Sequence, residues 1–224
     1  MNLILNKGVS LMNTFNSKSF KLLIRFLIII VTIALVVTSL SIIPLIIGII
    51  GLIIIPSSFI NDIISENKDS LYDAFNVSSK TLSKHDLSDF TFYKPSVIIL
   101  LILIIGLVTI YMIGIYYVRK WLKNINQQEI FTLKNANLIE KIAYCFFAIG
   151  IYEAILGLAR YYVSYTFVNG NSKLLSLMDN DVESVADFIF SVNFAFVFAG
   201  IIIWIIGRVF KYGMFLQEEY DSTI

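Results

Sequence analysis

Polar and apolar positions alternate in blocks rather than residue by residue. No charged residue occurs from Phe26 to Asn61, from Pro95 to Val118, or from Phe188 to Gly207. A fourth apolar block, Ile142 to Val163, is interrupted only by Glu153 and Arg160. A helix needs roughly 20 apolar residues to cross the hydrocarbon of a bilayer, and each block reaches that length. The pattern predicts an all-α integral membrane four-helix bundle. It forms a single four-span domain over residues 1–224, with spans at about 24–55, 96–118, 142–163 and 187–208.

The first block is too long for a straight crossing. Thirty helical residues extend about 45 Å against a hydrocarbon core of about 30 Å. Pro44 lies in its middle, with Gly48 and Gly51 following. A long, kinked and tilted first helix answers both facts. A re-entrant segment is the weaker alternative. The run also exceeds the apolar core of about 7–15 residues in a cleaved signal peptide, so it reads as an anchor. Residues 1–11 carry little pattern, and the start is Met1 or Met12.

The largest polar piece is the loop at 57–94, expected to be helical or irregular. Ile60, Ile63, Ile64, Leu71, Ala74 and Phe75 fall near helical spacing, and Ser57 or Ser58 suits a cap after Pro56. Asn76 to Asp89 reads as loop. Val163 to Val168 alternates before an Asn169-Gly170 turn signal. It reads as a continuation of the third helix, or else as a short strand pairing with Phe90–Lys94. Leu174 to Asp187 looks like an amphipathic approach to the fourth span.

Composition agrees with lipid as the solvent. Of 224 residues, 58% are hydrophobic and 15% charged, and mean hydropathy is +0.81. Soluble domains average about 25% charged residues. A net charge of +1 provides no basic field for nucleic acid. One cysteine, Cys145, precludes an internal disulfide, and one histidine, His85, precludes the usual zinc sets. His85 reads as a solvated loop residue and Cys145 as a small core residue.

Orientation follows from the cations near the span ends. Lys7, Lys18, Lys21, Arg25, Arg119, Lys120, Lys123, Lys134, Lys141, Arg208 and Lys211 share one side. The other side holds Lys68, Lys80, Lys84, Lys94, Arg160 and Lys173, spread over longer loops. Both termini and the 119–141 loop are therefore expected in the cytoplasm, and residues 57–94 outside. Tyr116, Tyr117, Trp121, Tyr144 and Trp204 fall at the inner interface; Tyr93, Tyr161, Tyr162 and Tyr165 fall at the outer one.

Glu153 is the sharpest anomaly. A carboxylate near mid-bilayer costs about 2.5–3.5 kcal/mol on insertion scales, so it must turn inward to a partner or stay protonated. Asn193, on the antiparallel fourth span, is at similar depth by residue count. Arg160 lies seven residues on along the same face. The three form a candidate intramembrane polar site, either a proton or cation site or a structural interhelical hydrogen bond. Ser191, Ala195 and Ala199 on one helix, and Gly150, Ala154 and Gly157 on the other, predict a close seam between the third and fourth spans.

Near the cytoplasmic side, Thr132 suits an N-cap for a helix running into the third span. Asn135 then stands where Glu would complete a capping box. The stretch Phe131-Thr132-x-x-Asn135-Ala136-x-x-Ile139 resembles one signature of a bacterial membrane family described as a domain of unknown function, DUF2975. The tail, Phe210-x-x-Gly213-x-x-Leu216-Gln217-x-Glu219-x-Asp221-x-Thr223-Ile224, resembles its other signature. The chain departs from the family pattern at Gln128 and Ile130, where Gly and Pro are usual, and at Ser222, where an acidic residue is usual. The resemblance implies a small multi-pass protein of the bacterial inner membrane with no established activity. Genes of the family often neighbour one for a small helix-turn-helix regulator, which implies a signalling partner.

Function is therefore expected to lie in interaction: envelope sensing, or regulatory contact with a cytosolic protein partner. The candidate surface is Phe131, Thr132, Asn135, Gly213, Gln217 and Asp221, with the 209–224 tail docked on the 131–135 turn. The alternative is a small transporter or channel with Glu153 as its protonatable site. The sequence offers no base–nucleophile pair, metal-ligand set or phosphate loop, so no enzyme, cofactor or nucleic-acid partner is expected. The expected partners are the lipid bilayer and a cytosolic protein or a second copy of the chain.

Overall fold

A computed structural model describes residues 18–67, 91–127, 132–170 and 192–221. The described residues form α1 (Lys18–Leu40), α2 (Ile42–Ile54), α3 (Ser57–Glu66), α4 (Lys94–Asn126), α5 (Leu133–Phe167) and α6 (Phe194–Asp221). No strand occurs among them. Lys18–Ile54, Lys94–Asn126, Leu133–Phe167 and Phe194–Leu216 are each long and apolar enough to cross a membrane. The expectations for 68–90, including the loop at Asn76 to Asp89 and His85, lie outside the described residues. So do those for Phe131, Leu174 to Asp187, Ser191 and residues 1–11.

Between α1 and α2 the helix is interrupted at Ser41. Pro44 explains the position. It lacks the N–H that would bond the carbonyl of Leu40, and its ring crowds that carbonyl. Ser41 stays in the right-handed helical region (φ −66°, ψ −15°), so the interruption is one residue long. Hydroxyls on the apolar helices bond backward to the carbonyl four residues earlier: Thr32 to Ile28, Thr38 to Ala34, Ser39 to Leu35 and Thr109 to Ile105. This satisfies each hydroxyl within its own helix.

The described contacts divide into two compact units. One takes in residues up to 40, residues 110–147 and residues from 196 onward. In it Ser39 Oγ lies 3.4 Å from Met112 S, and Arg119 Nε donates to Thr32 Oγ1 at 2.9 Å. Both contacts join α1 to α4. Gly200 and Gly207 are the buried positions of α6. A Cβ on Gly200 would stand 3.0 Å from the Phe147 ring and 3.2 Å from the Ala143 carbonyl; one on Gly207 would stand 3.0 Å from Glu140 Cγ. The close α5–α6 approach here rests on these two glycines. It does not use the expected Ala195, which is exposed. The seven-residue spacing of Gly200 and Gly207 is two helical turns, so both face the same partner.

The other unit takes in residues 41–109 and 148–195. Thr91 N–H donates to Phe167 O (2.8 Å), and Thr91 Oγ1 to Thr166 O (3.3 Å). Buried Ser96 donates to Tyr93 O and lies 3.0 Å from Thr166 Oγ1. The segments weighed as a strand pair do meet, but as a helix end against an extended approach. Asn169-Gly170 closes α5 instead of turning a hairpin. Gly170 N–H bonds Tyr165 O and Asn169 N–H bonds Thr166 O, with both residues left-handed (φ 74° and 50° respectively). That is the bonding of a Schellman cap.

Burial is distributed in the sense opposite to a soluble protein. The most strongly apolar windows, on α1–α2 and α4, have none of their residues buried, whereas 44% of the α5 window is buried. Nearly all buried hydrophobic residues among those described are on α5 or its cap. The helix that carries Glu140, Glu153 and Arg160 is the one enclosed by protein. In water the most apolar helix would be hidden first. A helix facing lipid would have no such drive.

Candidate functional site

Two polar clusters interrupt the apolar packing. The first contains Glu153 and Asn193. Glu153 is half-buried on α5, and its Oε2 accepts a 2.7 Å hydrogen bond from Asn193 Nδ2. Asn193 N–H bonds the Gly150 carbonyl at 3.2 Å. The predicted pairing of these two side chains is present, and the bond puts Asn193 level with Glu153. The described helix starts at Phe194, so Asn193 stands immediately before its first turn. Asparagine is a favoured residue immediately before a helix, and a carboxylate is stabilised at a helix N-terminus by the backbone dipole. Arg160 is exposed, two turns further along α5.

The second cluster joins Thr132 and Asn135 of the expected interaction surface to Asn124, Glu140, Arg208 and Lys211, which were not expected in it. Thr132 caps α5: its Oγ1 accepts from Asn135 N–H at 3.3 Å, and its carbonyl accepts from Asn135 and Ala136 at 2.9 and 3.1 Å. Asn135 does not reach back as a capping-box Glu would. Its Oδ1 accepts a 2.7 Å bond from Asn124 Nδ2 near the end of α4. Both asparagines are buried, Asn135 completely. This buried amide pair holds α4 and α5 together where the chain reverses.

Five residues beyond Asn135, Glu140 is 7% exposed. Lys211 Nζ donates to its Oε2 at 2.6 Å. Arg208 Nε stands 3.3 Å from Oε1. The Arg208 contact is Coulombic, since Oε1 is buried and accepts no hydrogen bond among the described residues. Arg208 also lies over the Trp204 ring at 4.9 Å, and Lys141 over the Tyr117 ring at 5.5 Å.

The residues of the expected interaction surface fall in different surroundings. Asn135 is interior and bonded to Asn124. A Cβ on Gly213 would have nothing within 4 Å. The meeting of α6 with α5 runs through Gly207, Arg208 and Lys211 instead. Gln217 and Asp221 fall on the last turns of α6, and their side chains lie outside the described residues. Glu140 stands in the sequence among the charges of the 119–141 segment and was not singled out. The available signal was the spacing of Ala136, Glu140 and Ala143, which puts a carboxylate between two small residues on one helix face.

The described residues define an all-helical class of protein with four helices long and apolar enough to cross a membrane. Within that class the chain belongs to the family described as Protein of unknown function (DUF2975), which matches residues 80–224. No curated protein and no solved structure matches it.

Proposed function

We propose that this is a bacterial inner-membrane protein with both termini in the cytoplasm, acting by interaction and relaying envelope state to a cytosolic protein partner. The observation that carries the reading is the Lys211–Glu140 bond. Lys211 lies at an unspecified position within the tail segment that begins at Phe210, and Glu140 directly follows the Phe131–Ile139 segment. Their ion pair makes the two most family-like segments parts of one assembly, which suits a shared docking surface. The cation count supports a cytoplasmic position for that assembly. The reading involves no enzymatic step, cofactor or nucleic acid.

Affinity purification of the full chain in mild detergent tests it. The wild type is expected to bring down a stoichiometric cytosolic protein. Lys211→Glu should lose it, and the exchange Glu140→Lys with Lys211→Glu should recover it. A homo-oligomer without such a protein, or retention by Lys211→Glu, refutes the relay. Reporter fusions at the two ends test the topology separately.

The Glu153–Asn193 hydrogen bond favours a second reading, a small transporter or channel with Glu153 as the group that takes up and releases a proton. In reconstituted vesicles Glu153→Gln should then abolish proton-coupled flux. Wild type without flux, or Glu153→Gln with flux, removes this reading.

A further inference from the structure

The short helix α3 carries an apolar face that the packing leaves uncovered. On a helical projection Phe59, Ile60, Ile63 and Ile64 occupy an arc of about 140°, and Ser58, Asn61, Asp62, Ser65 and Glu66 occupy the opposite side. Phe59 is 56% exposed and Ile63 45%. Their position in the unit is fixed by contacts on the other face. Asn61 Oδ1 accepts from Phe92 N–H at 2.7 Å, two residues before α4 begins. Phe59 and Ile63, two residues either side of Asn61, therefore point away from that tie. At its other end α3 starts three residues after Ile54, the last helical residue of the first membrane-capable stretch. Those residues are extended at Ile55 (φ −70°, ψ 128°) and Pro56 (φ −61°, ψ 143°) and reach at most about 11 Å.

The helix is thus tethered to where one apolar rod ends and pinned to where the next begins. Thr91 ties the same junction to the end of α5. Tyr93, Tyr162 and Tyr165 on these segments are exposed there, at the depth that amphipathic rings prefer. The uncovered face also continues the exposed apolar surface of Ile50, Ile53, Ile54 and Ile55. Resting on the membrane reading above, we propose that α3 is an interfacial helix, with Phe59 and Ile63 immersed at the boundary between headgroups and acyl chains. Its occupant is lipid with a neutral headgroup. Helices held by anionic lipid carry Lys or Arg on the polar face, and α3 carries Asp62 and Glu66 instead.

Site-directed spin labelling of the full chain in phosphatidylcholine vesicles tests the assignment. Cys145→Ala removes the one native thiol. Labels are then placed singly by Ser58→Cys, Phe59→Cys, Asp62→Cys and Ile63→Cys, with Ile102→Cys on the exposed side of α4 as the lipid reference. Labels at 59 and 63 should collide with oxygen in preference to a water-soluble nickel chelate. Labels at 58 and 62 should show the reverse. Adding phosphatidylglycerol should leave the ratios unchanged. A nickel preference at 59 and 63, with oxygen preference retained at 102, overturns the interfacial helix and leaves the membrane reading intact. Protection of 59 and 63 from both reagents with immobilised spectra means a protein occupant and also overturns it. A nickel preference at 102 refutes the membrane reading itself.

Discussion

Lys211 and Glu140, 71 residues apart in the chain, meet with Nζ 2.6 Å from Oε2. The pair is asymmetric: the carboxylate side chain is 9% exposed, the lysine 28% and the neighbouring Arg208 54%. Breaking it from the two sides therefore has different consequences. Lys211→Met leaves a buried carboxylate whose remaining cation, Arg208, lacks hydrogen-bond geometry, and should cost about 1–3 kcal/mol. Glu140→Met removes the buried charge and lets both cations turn toward solvent, so its cost should be smaller. Unfolding of the two variants in detergent micelles measures the order. Greater loss in Glu140→Met contradicts this account.

The Asn124–Asn135 bond predicts non-additivity. Either asparagine changed to Ala orphans the other amide in a buried site, at about 1–3 kcal/mol each. The double variant loses the pair without an orphan, so its cost should fall below the sum, with a coupling of about 0.5–3 kcal/mol. A double-mutant cycle on thermal unfolding reads this directly, and simple additivity refutes a direct bond.

The glycines of α6 separate by environment. Gly213 has open space around a Cβ, so Gly213→Ala should stabilise the helix by about 0.5–1 kcal/mol through backbone entropy alone. Gly207→Leu drives a large side chain into Glu140 and Ile139, and overpacking of this kind costs about 1–3 kcal/mol or more. Melting temperatures of the two variants should move in opposite directions.

A fourth prediction concerns α4 and α5. A Cβ on Gly106 would collide with the Tyr152 hydroxyl. Gly106→Ala should therefore destabilise the chain, contrary to the usual gain for alanine in a helix. Tyr152→Phe, which removes the colliding oxygen, should restore much of the loss. Equal effects of Gly106→Ala in both backgrounds would show that another contact governs the site.

Much of this architecture is local chemistry. The apolar blocks specify helices because a spanning backbone must satisfy its own hydrogen bonds. Pro44 interrupts its helix through its missing N–H and Thr132 caps α5 through its hydroxyl, each acting within a few residues. The pairing of Glu153 with Asn193 was legible because a carboxylate amid apolar residues needs a partner and few polar groups were on offer. Other features were decided by packing. Whether Asn135 faces solvent or Asn124, whether α6 approaches through Gly207 or Gly213, and whether Glu140 is solvated or enclosed all depend on the register of neighbouring helices. That register is set by side-chain fit over distances such as the 71 residues between Glu140 and Lys211. Periodicity assigns a residue to a face of its own helix. Only the assembled structure determines what that face meets, because one residue of rotation, about 100°, exchanges a buried partner for lipid or water.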